Sequence, residues 1–205
     1  MGYLFVIAGY LIGSIPFGLV LGKCLGVDVR VAGSGNIGAT NVNRLLGKKM
    51  GAITLLADAG KAVLPMLAAA KYLGGESNAE LWVAATGGAA FLGHLYPLYL
   101  KFKGGKGVAT ALGIFFYVQP LALALCIGVF VVVVRRWGYV SLGSLLAAAL
   151  MPALVYLLEG PGHQTYLAAL IAVLIWLKHA ENIKRLLNKQ ENSIKKKAGG
   201  GAAEC

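Results

Sequence analysis

The residues best suited to chemistry in this 205-residue chain are short polar donors, glycines and basic side chains gathered in three blocks. The first reads Gly33-Ser34-Gly35-Asn36-Ile37-Gly38-Ala39-Thr40-Asn41-Val42-Asn43-Arg44. Its glycines allow tight turns that present backbone N–H groups, and Ser34, Asn36, Thr40 and Asn41 add short donors. A helix beginning near residue 40 would point its N-terminus at the loop, which favours an anion. Arg44, one turn on, could then clamp a phosphate with two parallel hydrogen bonds. The block also spells GxGxxG, with Asp58 following in the next apolar segment. A dinucleotide site is excluded by context, because that motif needs a preceding strand and a β-α-β unit.

The second block is Gly93-His94-Leu95-Tyr96-Pro97, followed by Phe102-Lys103-Gly104-Gly105-Lys106-Gly107-Val108-Ala109-Thr110. It resembles a nucleotide-binding P-loop only superficially: Gly107 stands where Ser or Thr would hold magnesium. Basic residues flanking a membrane segment explain Lys101. They do not explain Gly104, Gly105 and Gly107, which weaken a helix start. Two lysines held by glycines fit a second phosphate site. A structural hydrogen-bonding role for His94 is as good an account as a catalytic one.

In the third block Ser141 and Ser144 lie one turn apart, and His179, Asn182 and Arg185 recur along one helical face. A basic interfacial helix accounts for Lys184 and Arg185 but leaves His179 and Asn182 unexplained. Asp58 and Lys61 stand at i, i+3 within an apolar segment, where an ion pair facing the bundle interior and a functional role are equally good readings.

These blocks need elements to hold them, and composition says which. The chain is 58% hydrophobic and 13% charged, whereas a soluble domain carries about a quarter charged residues. Apolar segments run over 3–25, 50–73, 80–100, 108–134, 137–158 and 165–177, with a polar stretch at 26–49 and a basic turn at 101–107. As one helix, 108–134 would exceed the roughly 30 Å that a bilayer core requires. It would also scatter the basic loops over both faces. Broken at Gln119-Pro120 it becomes two segments, and every Lys and Arg except Lys61 and Lys71 falls on one side. The opposite loops carry Glu76, Glu80 and Glu159. The positive-inside rule then predicts an all-α polytopic membrane protein of about seven spans, N-terminus outside and C-terminus cytoplasmic.

The balance of 19 Lys+Arg against 8 Asp+Glu is explained by those flanks, so nucleic acid is not the expected partner. Cys24, Cys126 and Cys205 have neither disulfide nor zinc spacing. The N-terminal apolar stretch lacks a basic leader and reads as a retained span. Val6 stands where a myristoylation signal needs Ser or Thr. A single membrane domain over 1–194 is expected. The basic, glycine-rich tail 195–205 is expected to be disordered, and is either native, beside anionic lipid, or a cloning remnant.

Taken together the blocks resemble the PlsY family of bacterial membrane acyltransferases: GSGNxGATNxxR at 33–44, GHxxP…FKGGKGVAT at 93–110, and HxxNxxRL at 179–186. The likeness spans the chain apart from its tail. One departure is that Asn188 precedes Glu191 where the family often has Gly before Glu. The resemblance implies a cytoplasmic-membrane enzyme that moves a fatty acyl group from acyl phosphate to the 1-hydroxyl of glycerol 3-phosphate. The products would be lysophosphatidic acid and phosphate, the first step of phospholipid synthesis. It implies no cofactor or metal, and no acyl-CoA or acyl carrier protein. The His-x-x-x-x-Asp of other acyltransferases is accordingly absent: Tyr99, Ala168 and Lys184 stand fifth after the three histidines.

By matching positions, Ser34, Arg44, Lys106, His179 and Asn182 should be catalytic and, together with Ser144, should hold the glycerol phosphate. Gly33, Gly35, Asn36, Gly38, Thr40 and Asn41 should bind the leaving phosphate, and Lys103, Gly104, Gly105 and Ser141 should complete the binding groups. For the general base, His179 is the one side chain of the third block with a suitable unperturbed pKa; the resemblance implies instead that substrate phosphate accepts the proton, with His179 orienting a ligand. A transporter of an organophosphate anion is the rival reading. It would usually show inverted repeats with a site near the midplane, and the blocks here cluster at one end. A non-catalytic scaffold for anionic lipid is weaker still, since the basic tail would suffice for it.

Overall fold

The computed structural model describes residues 1–195, and among these the regular structure is entirely helical. The helices are α1 Gly2–Gly13, α2 Phe17–Cys24, α3 Ala39–Leu73, α4 Ala79–Leu95, α5 Val108–Val118, α6 Pro120–Trp137, α7 Val140–Glu159, α8 His163–Lys178 and α9 Ala180–Leu187. A single 3-10 turn occupies Leu98–Leu100.

Among the described residues four stretches are long and apolar enough to cross a bilayer: Gly2–Cys24, Ala39–Leu73, Pro120–Trp137 and Val140–Glu159. A fifth qualifies if α8 and α9, bent by 58°, are taken together. Each of the seven expected segments is helical. However, α4 with 17 residues and α5 with 11 fall short of that length.

Breaks fall at residues that interrupt the helical ladder. Pro16 separates α1 from α2, dividing the expected continuous segment 3–25. Pro120 opens α6 at its first turn, where a missing N–H costs nothing, so 108–134 is divided where expected. The expected segment 80–100 ends early, at Leu95, because Pro97 disfavours helical backbone in Tyr96 before it. Gly47, at φ 84°, ψ 171°, kinks α3 between an amphipathic first stretch and the apolar remainder. That conformation strains any residue with a Cβ.

Close crossings use small residues, as in membrane bundles generally. Gly9 and Gly13 on α1 lie against the backbone of Thr86 and Ala90 on α4, and Gly113 on α5 lies against Ala59 on α3. The core gathers Met66, Phe91, Ile114, Val155 and Ile171, each at most 2% exposed. In order of packing, α1 lies along α4, α3 between α4 and α5, α6 along α7, and α7 along α8. Among the described residues α3 and α6 do not pack extensively, which leaves short α5 at the back of a gap between them. Lys195, placed in the expected disordered tail, is described: its Nζ donates to the Arg136 carbonyl at 2.8 Å. The remainder of that tail, 196–205, lies outside the described residues.

Candidate active site

The first loop is organised around one side chain. Asn41, 1% exposed, accepts the Ser34 N–H at 2.8 Å through Oδ1. Its amide donates to the carbonyls of Val29 at 2.9 Å, Ala32 at 3.1 Å and Asn36 at 2.9 Å. With those bonds made, Asn41 folds the loop rather than offering free donors to a ligand. Asn36 Oδ1 closes the next turn on the Gly38 N–H at 2.8 Å. Gly33, at φ 63°, provides the left-handed turn, and a Cβ there would collide with the Asn41 carboxamide. At the outer edge the Arg30 guanidinium holds the Asp28 carboxyl well below the usual carboxylate range. What this fold presents to the interior is Ser34, Asn36, Thr40 and, from the first turns of α3, Arg44.

These residues line one end of a cavity of about 630 Å³. Lys106 enters from the glycine turn and donates to Asn182 Oδ1 on α9. Burial, with Arg185 and Arg44 nearby, lowers the Lys106 ammonium to about 8, against an opposing pull from Glu191. It is therefore charged at neutral pH but close to titrating.

His179 sits in the bend between α8 and α9. Its Nδ1 is 2.8 Å from the Ile175 carbonyl oxygen. A carbonyl only accepts, so Nδ1 carries the proton and Nε2 is the free acceptor. Burial lowers this imidazole to about 4, so it is neutral at physiological pH.

The third wall is tied together by Glu191. Its carboxylate accepts from Ser141 Oγ at 2.8 Å, Asn182 Nδ2 at 2.7 Å and Arg185 Nε at 2.8 Å. Burial alone would raise its pKa; the bonds from Asn182, Arg185 and Ser141 outweigh that and lower it. Ser144 Oγ donates within its own helix, to the Val140 carbonyl at 2.9 Å. Below this polar end the lining turns apolar, with Leu55, Leu112, Cys126, Ile127, Phe130, Val131 and Ala147. Leu55 is 38% exposed, Ile127 43% and Val131 41%. These three stand at the gap between α3 and α6, where the cavity opens sideways.

Of the expected residues, Ser34, Arg44, Lys106, His179, Asn182, Asn36, Gly38, Thr40, Asn41, Ser141 and Ser144 all meet at this cavity. Gly33, Gly35, Lys103, Gly104 and Gly105 do not line it. Lys103 is exposed. Gly104 and Gly105 are packed against His94 and Pro97, where a Cβ has no room. Sequence reasoning missed Glu191 and left Arg185 out of the site. The chain reverses after α9 through Lys189 at φ 57°, with the Gln190 N–H on the Arg185 carbonyl at 2.7 Å. The available signal was a lone carboxylate in a basic stretch, nine residues after Asn182.

The chain is similar to known proteins over nearly its whole length. Residues 3–189 match the family model described as glycerol-3-phosphate acyltransferase. Among curated relatives, the glycerol-3-phosphate acyltransferase of Desulfotalea psychrophila is 52% identical over 96% of this chain and 100% of its own. That of Geotalea daltonii is 51% identical over 93% and 96%. The crystal structure of PlsY (YgiH), an integral membrane glycerol 3-phosphate acyltransferase, in its glycerol 3-phosphate form aligns with a TM-score of 0.88 at 42% identity. It covers 95% of this chain and 96% of that one. Its lysophosphatidic acid form aligns at 0.87, with 41% identity over 95% of each chain. The chain is a multi-pass membrane protein and belongs to the glycerol-3-phosphate acyltransferase family.

Proposed function

We propose that this protein transfers a fatty acyl group from acyl phosphate to the 1-hydroxyl of sn-glycerol 3-phosphate, releasing lysophosphatidic acid and inorganic phosphate. The observation that carries this reading is the cavity's division. A cationic, donor-rich end continues into an apolar wall that opens between α3 and α6. The related PlsY structures hold glycerol 3-phosphate and lysophosphatidic acid forms, the acceptor and product this reaction requires.

In the proposed step the C1 hydroxyl oxygen attacks the acyl carbonyl. A carbon–oxygen ester bond forms, the bond from acyl carbon to phosphate oxygen breaks, and phosphate leaves with the electron pair. The donor is already an activated anhydride, so positioning and charge stabilisation suffice and no covalent nucleophile is required. Arg44, Lys106 and Arg185 neutralise the phosphates. Asn36 and Thr40 donate to the leaving group, Ser34 donates to the glycerol phosphate, and Asn182 fixes the Lys106 ammonium. The proton must go to a base. A His179 imidazole at about 4 is a weaker base than a phosphate monoester, whose second pKa is about 6. Substrate phosphate therefore takes the C1 hydroxyl proton, and His179 Nε2 is left to accept from the neighbouring C2 hydroxyl and so orient the glycerol.

The reading extends to the membrane: seven crossings, N-terminus outside, C-terminus and site on the cytoplasmic face of a bacterial inner membrane. Short α5, about 16 Å at 1.5 Å per residue, crosses a locally thin or covered part of the bundle. No acyl-CoA or acyl carrier protein takes part.

Reconstitution in lipid with palmitoyl phosphate and glycerol 3-phosphate tests the reading. Lysophosphatidic acid and phosphate are expected in equal amounts, with no ester when palmitoyl-CoA replaces the donor. Flux of glycerol phosphate without either product, or equal use of palmitoyl-CoA, would overturn it.

A further inference from the structure

Beside the glycine turn that carries Lys106 lies a charged cluster that the steps above do not use. Asp58 and Lys61 stand on α3 and His94 near the end of α4, and all three are at most 3% exposed. Lys61 Nζ is 3.0 Å from Asp58 Oδ1, 2.8 Å from His94 Nδ1 and 3.1 Å from the Ile15 carbonyl oxygen in the α1–α2 break. The Asp58 contact is ionic, without an aligned hydrogen bond. An ammonium only donates, so His94 Nδ1 accepts and the ring proton sits on Nε2. One negative charge, one positive charge and a neutral ring leave no net charge inside the bundle, which limits the cost of burying them.

Ion pairing accounts for Asp58 and Lys61; His94, 3.7 Å from Asp58 Oδ1 through Nδ1 and, like Asp58, at the cavity wall, has further contacts that lead to the phosphate-binding turn. The His94 carbonyl accepts the Gly105 N–H at 3.0 Å. Its imidazole, at Nε2, fills the space that a Cβ on Gly105 would enter, and Gly104 lies against the same carbonyl. The ring thus fixes where the turn sits, and the next residue is Lys106. Through Lys61 the same contacts reach α3 and the α1–α2 break, so three parts of the chain, α3, α4 and that break, meet at one ammonium.

We propose that Asp58, Lys61 and His94 are positioning residues for Lys106. They hold the Gly104–Gly105 turn at the height that lets the Lys106 ammonium meet a phosphate and the Asn182 carboxamide together. The inference rests on the phosphate-binding role given to Lys106 above.

The test compares His94→Ala, His94→Asn, Gly105→Ala and the pair His94→Ala with Gly105→Ala in lipid, each with its thermal unfolding midpoint. His94→Ala is expected to raise KM for glycerol 3-phosphate about tenfold, as when one charge-assisted hydrogen bond is weakened, with kcat changing less. His94→Asn, whose Oδ1 can accept from Lys61, should recover most of that loss. Gly105→Ala should also raise KM. The double variant should be no worse than the poorer single one, because the missing ring leaves room for the methyl group. Additive losses, or lowered midpoints with KM unchanged, would overturn the proposal. If His94→Ala does not fold, His94→Asn with Gly105→Ala makes the same comparison. Calorimetric binding of glycerol 3-phosphate to these variants keeps this inference separate from the reaction. Wild-type protein that binds without turnover counts against the acyltransferase reading, not against the positioning.

Discussion

Asn182 joins two opposite charges through one carboxamide: its Oδ1 accepts from the Lys106 ammonium, and its Nδ2 donates to Glu191 Oε1 at 2.7 Å. The side chain is 5% exposed, so its orientation is set by these neighbours. Asn182→Asp would keep the acceptor for Lys106 but put a carboxylate against Glu191. A fall in kcat/KM of about 10- to 100-fold is expected, the loss of 1.5–3 kcal/mol typical of a hydrogen bond to a charged group. Retention of half the activity in a phosphate-release assay would remove Asn182 from the site.

Lys106 gives the alkaline behaviour. Its ammonium is lowered to about 8 in the free protein, so charge is lost as pH rises past that value. KM for glycerol 3-phosphate should climb between pH 8 and 9.5, while kcat holds further because bound phosphate favours the charged form. Lys106→Arg stays charged throughout. Whatever its rate, its KM should be flat over that interval, and initial rates across the pH series decide the matter.

Glu191 should shift that limb. The carboxylate opposes the lowering of Lys106, so Glu191→Gln removes a stabilising negative charge and the rise in KM should begin at a lower pH. The same substitution bears on stability. A carboxyl whose folded pKa is lowered contributes stability above its unfolded value of about 4.3 and loses it as pH falls through the folded value. Wild-type unfolding midpoints should therefore drop on acidification more than those of Glu191→Gln.

The small-residue crossing of α1 and α4 is a packing prediction. A Cβ on Gly13 would strike the Ala90 backbone, which cannot move aside as a side-chain tip can. Gly13→Leu should destabilise the bundle by at least about 1–3 kcal/mol, read as a lower unfolding midpoint in detergent. An unchanged midpoint would mean that α1 and α4 are further apart than described.

Much of the site was legible because its groups sit in runs whose chemistry is local. Arg44 follows a glycine loop at a helix start, Lys106 follows glycines, and Asn182 lies one turn beyond His179. Gln119-Pro120 was readable as a break because proline's missing N–H acts within its own turn. Three-dimensional relations were not readable. Asn41 looks like another donor until its carboxamide is seen to be spent on Val29, Ala32, Asn36 and Ser34. Gly104 and Gly105 look like phosphate cradles, yet space against His94 and Pro97 also demands glycine. Glu191 matters only because the chain doubles back at Lys189, a reversal set by one left-handed residue that composition would not place there.

The gap between α3 and α6 has a kinetic meaning. In the proposed reaction, a lipid-soluble acyl donor that reaches the cavity through it need never pass through water, whereas the glycerol phosphate arrives only from water. The two substrates are then counted on different scales, one by its mole fraction in the bilayer and the other by its molarity. Adding inert phospholipid at constant total donor should slow the reaction by surface dilution, although no concentration in the aqueous phase has changed.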